Sequence, residues 1–234
     1  MIWQQRPKIR SNFLKISEMT NKMQLSGDTI KILKNASLIN PSIFLKEGSI
    51  VRTMSPQKNF LAEFEIEQSI DGEMCIYDIS SFLNMLSLFD ENYEIEIEDK
   101  KAVINDGSNK GTFFFAHPDS IISPPDKNLK LENPLAEFTV SEKVFSKAKK
   151  AAGTLNAEDF ILSGDGENVT AKVTNRKNNT ANQFNQTVGE SDKEFEAVLD
   201  VSKLTFLPGD YKVTVYEQAV YFESEVAKYW ITCK

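Results

Sequence analysis

Four lysines follow a helical spacing in the second half of the chain. Lys143, Lys147 and Lys150 recur at i, i+4 and i+7 within Ser141–Leu155, and Lys149 flanks them. Side chains at these intervals share one face of an α-helix, while the apolar residues of the segment occupy the opposite face. A row of ammonium groups on a helix can bind phosphate oxygens without reading base identity. On one isolated helix such a row is usually an ordinary solvated surface, so the rest of the chain has to support the hypothesis.

A second predicted helix, about Asp28–Ile39, repeats this arrangement in the first half of the chain. We expect Lys31, Lys34 and Asn35 to face outwards, with apolar residues between them facing the core. A third predicted helix, Ile79–Phe89, places only small polar side chains on its outer face. The residues predicted to face a nucleic acid are therefore Lys31, Lys34, Asn35, Lys143, Lys147, Lys149 and Lys150.

The distribution of charge favours this interpretation more than the net charge does. The chain of 234 residues has a formal net charge of −7, which is unusual for a protein that binds nucleic acid. Residues 1–22 carry five basic residues against one acidic residue, a net charge of +4, so the remainder carries −11. Basic residues on two helices of an otherwise acidic body would attract phosphates at that surface only.

Nothing in the sequence predicts catalysis or a cofactor. His117 is the only histidine, and no G-x-S-x-G or nucleotide-binding loop accompanies it. Cys75 and Cys233 have no zinc-type spacing. The acidic clusters, such as the alternating glutamates of Glu63–Glu67, place their carboxylates on one solvated face of a strand rather than around a metal. We expect no enzyme activity, no cofactor, no metal and no membrane association.

The order of predicted elements occurs twice, as helix followed by short strands, a second helix and further strands. The proline-rich stretch between the two halves has no hydrophobic periodicity and is typical of a connector. We therefore predict an α+β protein of two similar domains, in which helices cover one face of antiparallel sheets. The boundaries are a basic extension over 1–22, domain 1 over 23–118, a connector over 119–135 and domain 2 over 136–234.

Four stretches carry a resemblance to a known family. They are LSGDTIKILKNASLINPSIFLKEGSIVRT (Leu25–Thr53), CIYDISSFLNMLSL (Cys75–Leu88), LPGDYKVTVY (Leu207–Tyr216) and YFESEVAKYW (Tyr221–Trp230). They resemble the sliding clamps, or DNA polymerase processivity factors, of T4-type bacteriophages, and the resemblance runs over nearly the whole chain from Met23 onward. Because it begins there, we expect residues 1–22 to be either the product of an upstream start codon or a basic arm that adds phosphate contacts.

The resemblance implies a DNA-clamp fold and a homotrimer closed into a ring around duplex DNA. It implies that the clamp tethers the replicative DNA polymerase, is loaded by an ATP-driven clamp loader, and also serves late transcription. These partners place it in the cytoplasm of an infected bacterial host. The alternative from another class is a β-rich structural or assembly protein of a virion, which would have no need for repeated basic helix faces.

Two further surfaces follow from the resemblance. The first is a subunit interface formed by edge strands, for which the Phe113–Phe115 run offers Phe113 and Phe115 on one face of a strand. The same two side chains could instead belong to the core. The second is a pocket for partner peptides between the connector and the C-terminal strands, for which we name Phe60, Leu61, Ile121, Ile122, Pro124, Tyr229, Trp230 and Ile231. The two isoleucines could instead only fasten the connector to the domain.

Overall fold

The computed structural model describes residues 22–125, 129 and 131–234. The predicted basic extension therefore lies outside the described residues, except for Lys22. Lys22 belongs to the first strand, where its Nζ lies 2.8 Å from Glu94 Oε2.

Domain 1 contains eight strands and two helices. Its elements are β1 (Lys22–Met23), α1 (Gly27–Ser37), β2 (Ile43–Leu45), β3 (Gly48–Met54), β4 (Phe60–Ile70), β5 (Met74–Ile76), α2 (Ile79–Leu86), β6 (Glu94–Glu98), β7 (Lys101–Asn105) and β8 (Lys110–Phe114).

Domain 2 follows the same order, after a linking stretch whose described residues include only a 3-10 turn at Pro118–Ser120. Its elements are β9 (Ala136–Val140), α3 (Glu142–Leu155), β10 (Asp159–Asp165), β11 (Asn168–Thr174), β12 (Phe184–Glu190), β13 (Glu194–Asp200), a 3-10 turn (Val201–Lys203), β14 (Tyr211–Val215), β15 (Ala219–Glu223) and β16 (Ala227–Thr232).

Short polar side chains set where the helices begin. Ser26 Oγ accepts a hydrogen bond of 3.1 Å from Thr29 N at the start of α1. Asp78 Oδ1 does the same for Ser81 N at the start of α2, again at 3.1 Å. These caps satisfy amide groups that have no partner within the helix. Asn156, in the left-handed conformation with φ 50°, ends α3.

One predicted element is wrong. The sequence favours a helix over Val201–Phe206, but the structure has only the 3-10 turn at Val201–Lys203. The core of domain 2 accounts for the difference, because Leu204 and Phe206 are both buried. The ring centroid of Phe206 lies 4.6 Å from that of Phe222 and 4.7 Å from that of Tyr229. The chain must leave the helical path to bring Phe206 between these rings.

The internal repeat is visible in the strand order. In domain 1, one sheet has the order β1-β6-β7-β8, and in domain 2 the strands β9-β14-β15-β16 follow the equivalent order. The second sheet of domain 2 has the order β12-β11-β10-β13. Its domain 1 counterpart is divided into the pairs β3-β4 and β2-β5. All of these pairings are antiparallel, as predicted.

The two domains share one continuous sheet. β16 of domain 2 pairs with β4 of domain 1, with Trp230 opposite Leu61. This pairing joins six strands in the order β3-β4-β16-β15-β14-β9. The Tyr229 ring packs against Phe60 and Phe64 across the same junction, at centroid distances of 6.0 and 5.7 Å. Backbone hydrogen bonds and buried aromatic area therefore both hold the domains together.

A pair of glycine substitutions tests the packing of domain 2. A Cβ on Gly164 would lie 2.5 Å from Phe195 Cε1 and 2.6 Å from the backbone oxygen of Lys193, which cannot rotate away. We expect Gly164→Ala to lower the free energy of unfolding by roughly 1–3 kcal/mol. A Cβ on Gly153 in α3 would have no atom within 4 Å. Gly153→Ala should therefore raise the free energy of unfolding by roughly 0.5–1 kcal/mol. Urea titration measures both, and equal effects would contradict the packing described.

Candidate functional site: a basic helical face and an outer pocket

The outer face of α1 carries two lysines. Lys31 and Lys34 are both exposed, while the opposite face of the helix is buried in the core of domain 1. Lys31 Nζ lies 2.7 Å from Asp28 Oδ1, with both side chains about three-quarters exposed at 73% and 75%. An ion pair this exposed is worth little, so a phosphate can take the place of the carboxylate.

The outer face of α3 carries four lysines, as predicted. Lys143, Lys147, Lys149 and Lys150 are all exposed, and the opposite face buries Val144, Phe145, Ala148 and Ala152. Partial burial of the Lys149 ammonium lowers its pKa. The cause is the loss of water around the ammonium group, which disfavours its charged form.

Asn35 does not face outwards, and that prediction is wrong. Only 7% of Asn35 is exposed. Its Oδ1 accepts a hydrogen bond of 2.9 Å from Tyr229 Oη, and its Nδ2 donates to the backbone oxygen of Thr205. Asn35 follows Lys31 by four residues, so it is displaced around the helix by about 40°. On that side domain 2 covers α1, which no feature of the helix itself reveals.

The basic faces occupy equivalent places in the two domains. α1 follows β1, and α3 follows β9, the equivalent strand of the other domain. α2 adds the exposed polar residues Ser80 and Asn84, and its C-cap adds the exposed Ser87. The 3-10 turn at Val201–Lys203 stands where domain 2 would carry a counterpart of α2. The two domains thus offer matching cationic helices and no further basic helix within the described residues.

A pocket of about 200 Å³ opens on the outer face of the six-stranded sheet. Its apolar wall consists of Leu61 on β4 and Trp230 on β16, which are paired across the domain junction, and of Tyr221 on β15. The rings of Tyr221 and Trp230 lie with their centroids 4.9 Å apart. The opposite wall is formed by the connector, through Pro124, Pro125 and Leu129. Two neighbouring aromatic rings opposite two prolines are suited to an apolar side chain of a peptide.

Charged groups close one side of this pocket. Arg52 Nε and Nη2 lie 2.7 and 2.6 Å from Glu63 Oε2, and Lys228 Nζ lies 3.2 Å from Glu63 Oε1. The Glu63 side chain is only 14% exposed, so its ion pairs are better shielded from water than those of α1. Burial raises the pKa of Tyr221, and the neighbouring Glu223 adds to this effect.

Only three of the eight residues predicted for this pocket line it in the structure. Leu61, Pro124 and Trp230 line it, and Ile122 is 39% exposed but lies outside its lining. The other four predicted residues are buried and do not face a partner, namely Phe60, Ile121, Tyr229 and Ile231. Successive side chains of a strand point to opposite faces, so the neighbours of Leu61 and Trp230 cannot share their pocket.

Six lining residues were missed by the sequence analysis, and two of them, Pro125 and Leu129, follow Pro124 in the predicted connector. The alternation of faces along β16 would have identified Lys228, which lies two residues before Trp230. Glu63 lies two residues after Leu61 on β4, so the same alternation would have identified it. Arg52 and Tyr221 gave no such signal, because only the sheet brings β3 and β15 to this place.

A strand that ends a sheet has a hydrogen-bonded neighbour on one side only among the described strands, and β8 and β12 are two such strands. β8 is the last strand of the sheet β1-β6-β7-β8, and β12 is the first strand of the sheet β12-β11-β10-β13. Phe113 faces its own domain, where its ring lies 5.1 Å from that of Phe82, and Phe115 is half-buried beyond the end of β8. Phe114, which is 73% exposed, is the aromatic residue that faces outwards at this edge.

The described residues hold no group of three or more histidine, cysteine, aspartate or glutamate side chains that could bind a metal ion. Within the same part of the chain, no helix has the length and apolar character needed to span a membrane.

The fold is that of the DNA clamps. The chain is similar to A. fulgidus PCNA in its structure with the C-terminal region of FEN-1, with a TM-score of 0.65, 16% identity, and 88% and 94% of the two chains covered. It is also similar to the Helicobacter pylori beta clamp bound to a DNA ligase peptide, with a TM-score of 0.66 and 14% identity over 91% of this chain and 65% of that one.

Sequence comparison gives the family. The model of the DNA polymerase processivity factor family matches residues 26–115. The sliding clamp of Vibrio phage KVP40 is 30% identical over 205 residues, which cover 85% of this chain and 92% of the relative. The sliding clamp of Enterobacteria phage T4 is 28% identical over 221 residues, or 88% and 95% of the two chains. The chain belongs to the sliding clamp family of T4-type phages, and it is a processivity factor for DNA polymerase rather than an enzyme.

Charge reversal on the two basic helices tests whether they face DNA. We expect Lys34→Glu/Lys147→Glu to reduce retention on closed circular DNA. The slope of log affinity against log salt should fall by about 0.9 for each phosphate that is no longer neutralised. Because both side chains are exposed, the free energy of unfolding should change by no more than about 1 kcal/mol, mostly through Lys34, whose replacement by a carboxylate in the last turn of α1 opposes the helix dipole. Lys100→Glu, in the exposed turn between β6 and β7, is the matched control. Equal retention of the double variant and the control would contradict the assignment.

Proposed function

We propose that three copies of this chain close into a ring around duplex DNA, with α1 and α3 of each copy facing the hole. The observation that carries this proposal is the internal repeat. Within one chain, β16 of domain 2 pairs with β4 of domain 1. β8 is the domain 1 equivalent of β16, and β12 is the domain 2 equivalent of β4. The same antiparallel pairing, made between chains, would join the free edge of β8 in one copy to the free edge of β12 in the next.

Such a contact is heterologous, because two different edges meet. Heterologous contacts close into a ring when the rotation between subunits divides a full turn, and otherwise continue as a filament. A ring also removes both free edges, which are a liability for aggregation when left exposed. The exposed aromatic residues on these edges support the proposal, since Phe114 on β8 is 73% exposed and Phe184 on β12 is 36% exposed.

The basic helices explain how a ring of acidic subunits can hold DNA. Ammonium groups on α1 and α3 would contact phosphates without reading sequence, so the ring could slide along the duplex. The ring would remain on DNA because it encircles the duplex and not because each contact is strong. Processivity then follows from tethering the polymerase to a ring that cannot leave sideways.

The pocket beside the connector is our candidate for the docking site of the polymerase. Its paired aromatic rings and connector prolines suit an apolar anchor of a short peptide, and a few such contacts usually dominate the energy of a peptide complex. Structures of clamp-fold proteins with a FEN-1 segment and with a ligase peptide lend support by analogy. We further propose loading by an ATP-driven clamp loader, a role in late transcription, and action in the cytoplasm of the infected bacterial host.

Mass measurement of an edge variant tests the ring. We expect Phe114→Asp to convert the trimer to monomers at micromolar concentration, because a carboxylate would be buried beside β12 without a partner. The free energy of unfolding of the monomer should change by less than about 0.5 kcal/mol, since the side chain is exposed. Leu88→Asp is the matched control, because Leu88 is 75% exposed and belongs to neither edge. Sedimentation equilibrium gives both masses, and a monomeric wild-type chain would overturn the ring.

A second experiment tests the pocket. Trp230→Ala should weaken binding of a C-terminal peptide of the phage DNA polymerase by at least about tenfold, because half of the aromatic wall is removed. Ile122→Ala is the control, since Ile122 is exposed beside the same connector but does not line the pocket. Fluorescence anisotropy of the labelled peptide measures both affinities. An unchanged affinity of Trp230→Ala, with intact folding, would place the docking site elsewhere.

A further inference from the structure

A buried hydrogen-bond network crosses the junction between the two domains. Tyr229 on β16 is fully buried, and its Oη donates to Asn35 Oδ1 on α1 at 2.9 Å. The same oxygen accepts a hydrogen bond of 3.0 Å from Leu207 N. Asn35 Nδ2 donates to the backbone oxygen of Thr205, two residues before Leu207. One tyrosine and one asparagine therefore bind α1 of domain 1 to two points of domain 2.

The hydrogen bonds of this network depend on the relative orientation of their donors and acceptors, unlike the apolar packing around them. Burial raises the pKa of Tyr229, so the hydroxyl keeps its proton and remains a donor. Asn35 uses both its acceptor and its donor, which leaves it one orientation. The backbone pairing of β16 with β4 sets the register of the two domains along these strands, and the hydrogen bonds of Tyr229 and Asn35 additionally set the position of α1 over domain 2.

The sequence neighbours of this pair belong to the functional surfaces. Lys34 precedes Asn35 and faces outwards on α1, about one turn from Lys31. Trp230 follows Tyr229 directly and lines the outer pocket. The Tyr229 side chain thus extends from the strand that forms the pocket wall to the helix that carries the domain 1 lysines.

We propose that Tyr229 is a positioning residue, whose hydroxyl holds α1 at a fixed orientation relative to domain 2 and thereby directs Lys31 and Lys34 to the same duplex as the lysines of α3. The part that concerns the duplex rests on the proposed function. The part that concerns the relative orientation of the domains does not depend on it.

The test removes only the hydroxyl. In Tyr229→Phe the ring still packs against Phe60, but Asn35 Oδ1 and Leu207 N are deprived of their shared partner. Spin labels on cysteines introduced at the exposed Asp99 and Asp192, in a chain without the two native cysteines, report the distance between the domains by double electron–electron resonance. We expect a shifted or broadened distance distribution for Tyr229→Phe.

Tyr211→Phe is the matched control. Tyr211 is 1% exposed, and its Oη donates to the backbone oxygen of Leu207 at 2.8 Å. This substitution also removes one buried phenolic hydroxyl beside Leu207. That hydroxyl interacts with the Tyr229 hydroxyl, but its own hydrogen bond to Leu207 stays within domain 2, and the bonds of Tyr229 to Asn35 and Leu207 remain. We expect it to lower thermal stability as Tyr229→Phe does, and to leave the distance distribution unchanged.

DNA binding supplies the second readout. If α1 no longer faces the duplex in Tyr229→Phe, the slope of log affinity against log salt should fall by about 0.9 for each phosphate that its lysines no longer reach. Tyr211→Phe should leave this slope unchanged. Asn35→Ala interrupts the same network from α1 and should reproduce both effects, with no further change in the double variant with Tyr229→Phe.

The possible outcomes distinguish the two parts of the proposal. An unchanged distance distribution in both Tyr229→Phe and Asn35→Ala overturns the positioning role. A shift of equal size in Tyr211→Phe also overturns it, because loosening of domain 2 would then be sufficient. A distance shift specific to Tyr229→Phe and Asn35→Ala, with an unchanged salt slope, supports the positioning role and contradicts the assignment of Lys31 and Lys34 to the DNA surface.

Discussion

The pairing of β16 with β4 is the constraint on which the rest of this clamp depends. It turns two similar domains into one body with a continuous sheet, and it brings Trp230 and Leu61 together as one wall of the outer pocket. On the other face of the same strand, Tyr229 contacts domain 1 through Phe60 and Asn35. A single strand therefore contributes to the pocket, to the core and to the contact with the helix that carries the domain 1 lysines.

Because the two domains are similar, the junction between them indicates how separate chains could pair. A chain that joins its own domains through an edge pairing leaves the two equivalent edges, β8 and β12, without partners among its described strands. The proposed ring repeats between chains the contact that already exists within one. The acidic body and basic helices fit the same arrangement, because like charges on the outside discourage non-specific adhesion while the lysines of α1 and α3 attract phosphates.

The elements of the fold could largely be predicted from sequence. Apolar spacing in α1 and α3 and alternation in the strands are local signals, and the structure confirms them. The predicted helix at Val201–Phe206 is wrong, because the packing of Phe206 against Phe222 in the core stabilises a different backbone path more than the local helix preference stabilises the helix. For the pocket, Leu61 and Trp230 were found, but their strand neighbours were included although they face the core.

The sequence by itself determined the lysines that α1 and α3 present to solvent, because these depend on residue type and local periodicity. It also determined the family, through the resemblance of four stretches to the sliding clamps. Tertiary structure alone decided that Asn35 is buried, since the residues that cover it, Thr205 and Tyr229, lie far away along the chain. It also decided that Arg52, Glu63, Tyr221 and Lys228 meet in one pocket. Contacts between strands that are distant in the sequence depend on the strand order of the sheet, and no local pattern along the chain encodes that order.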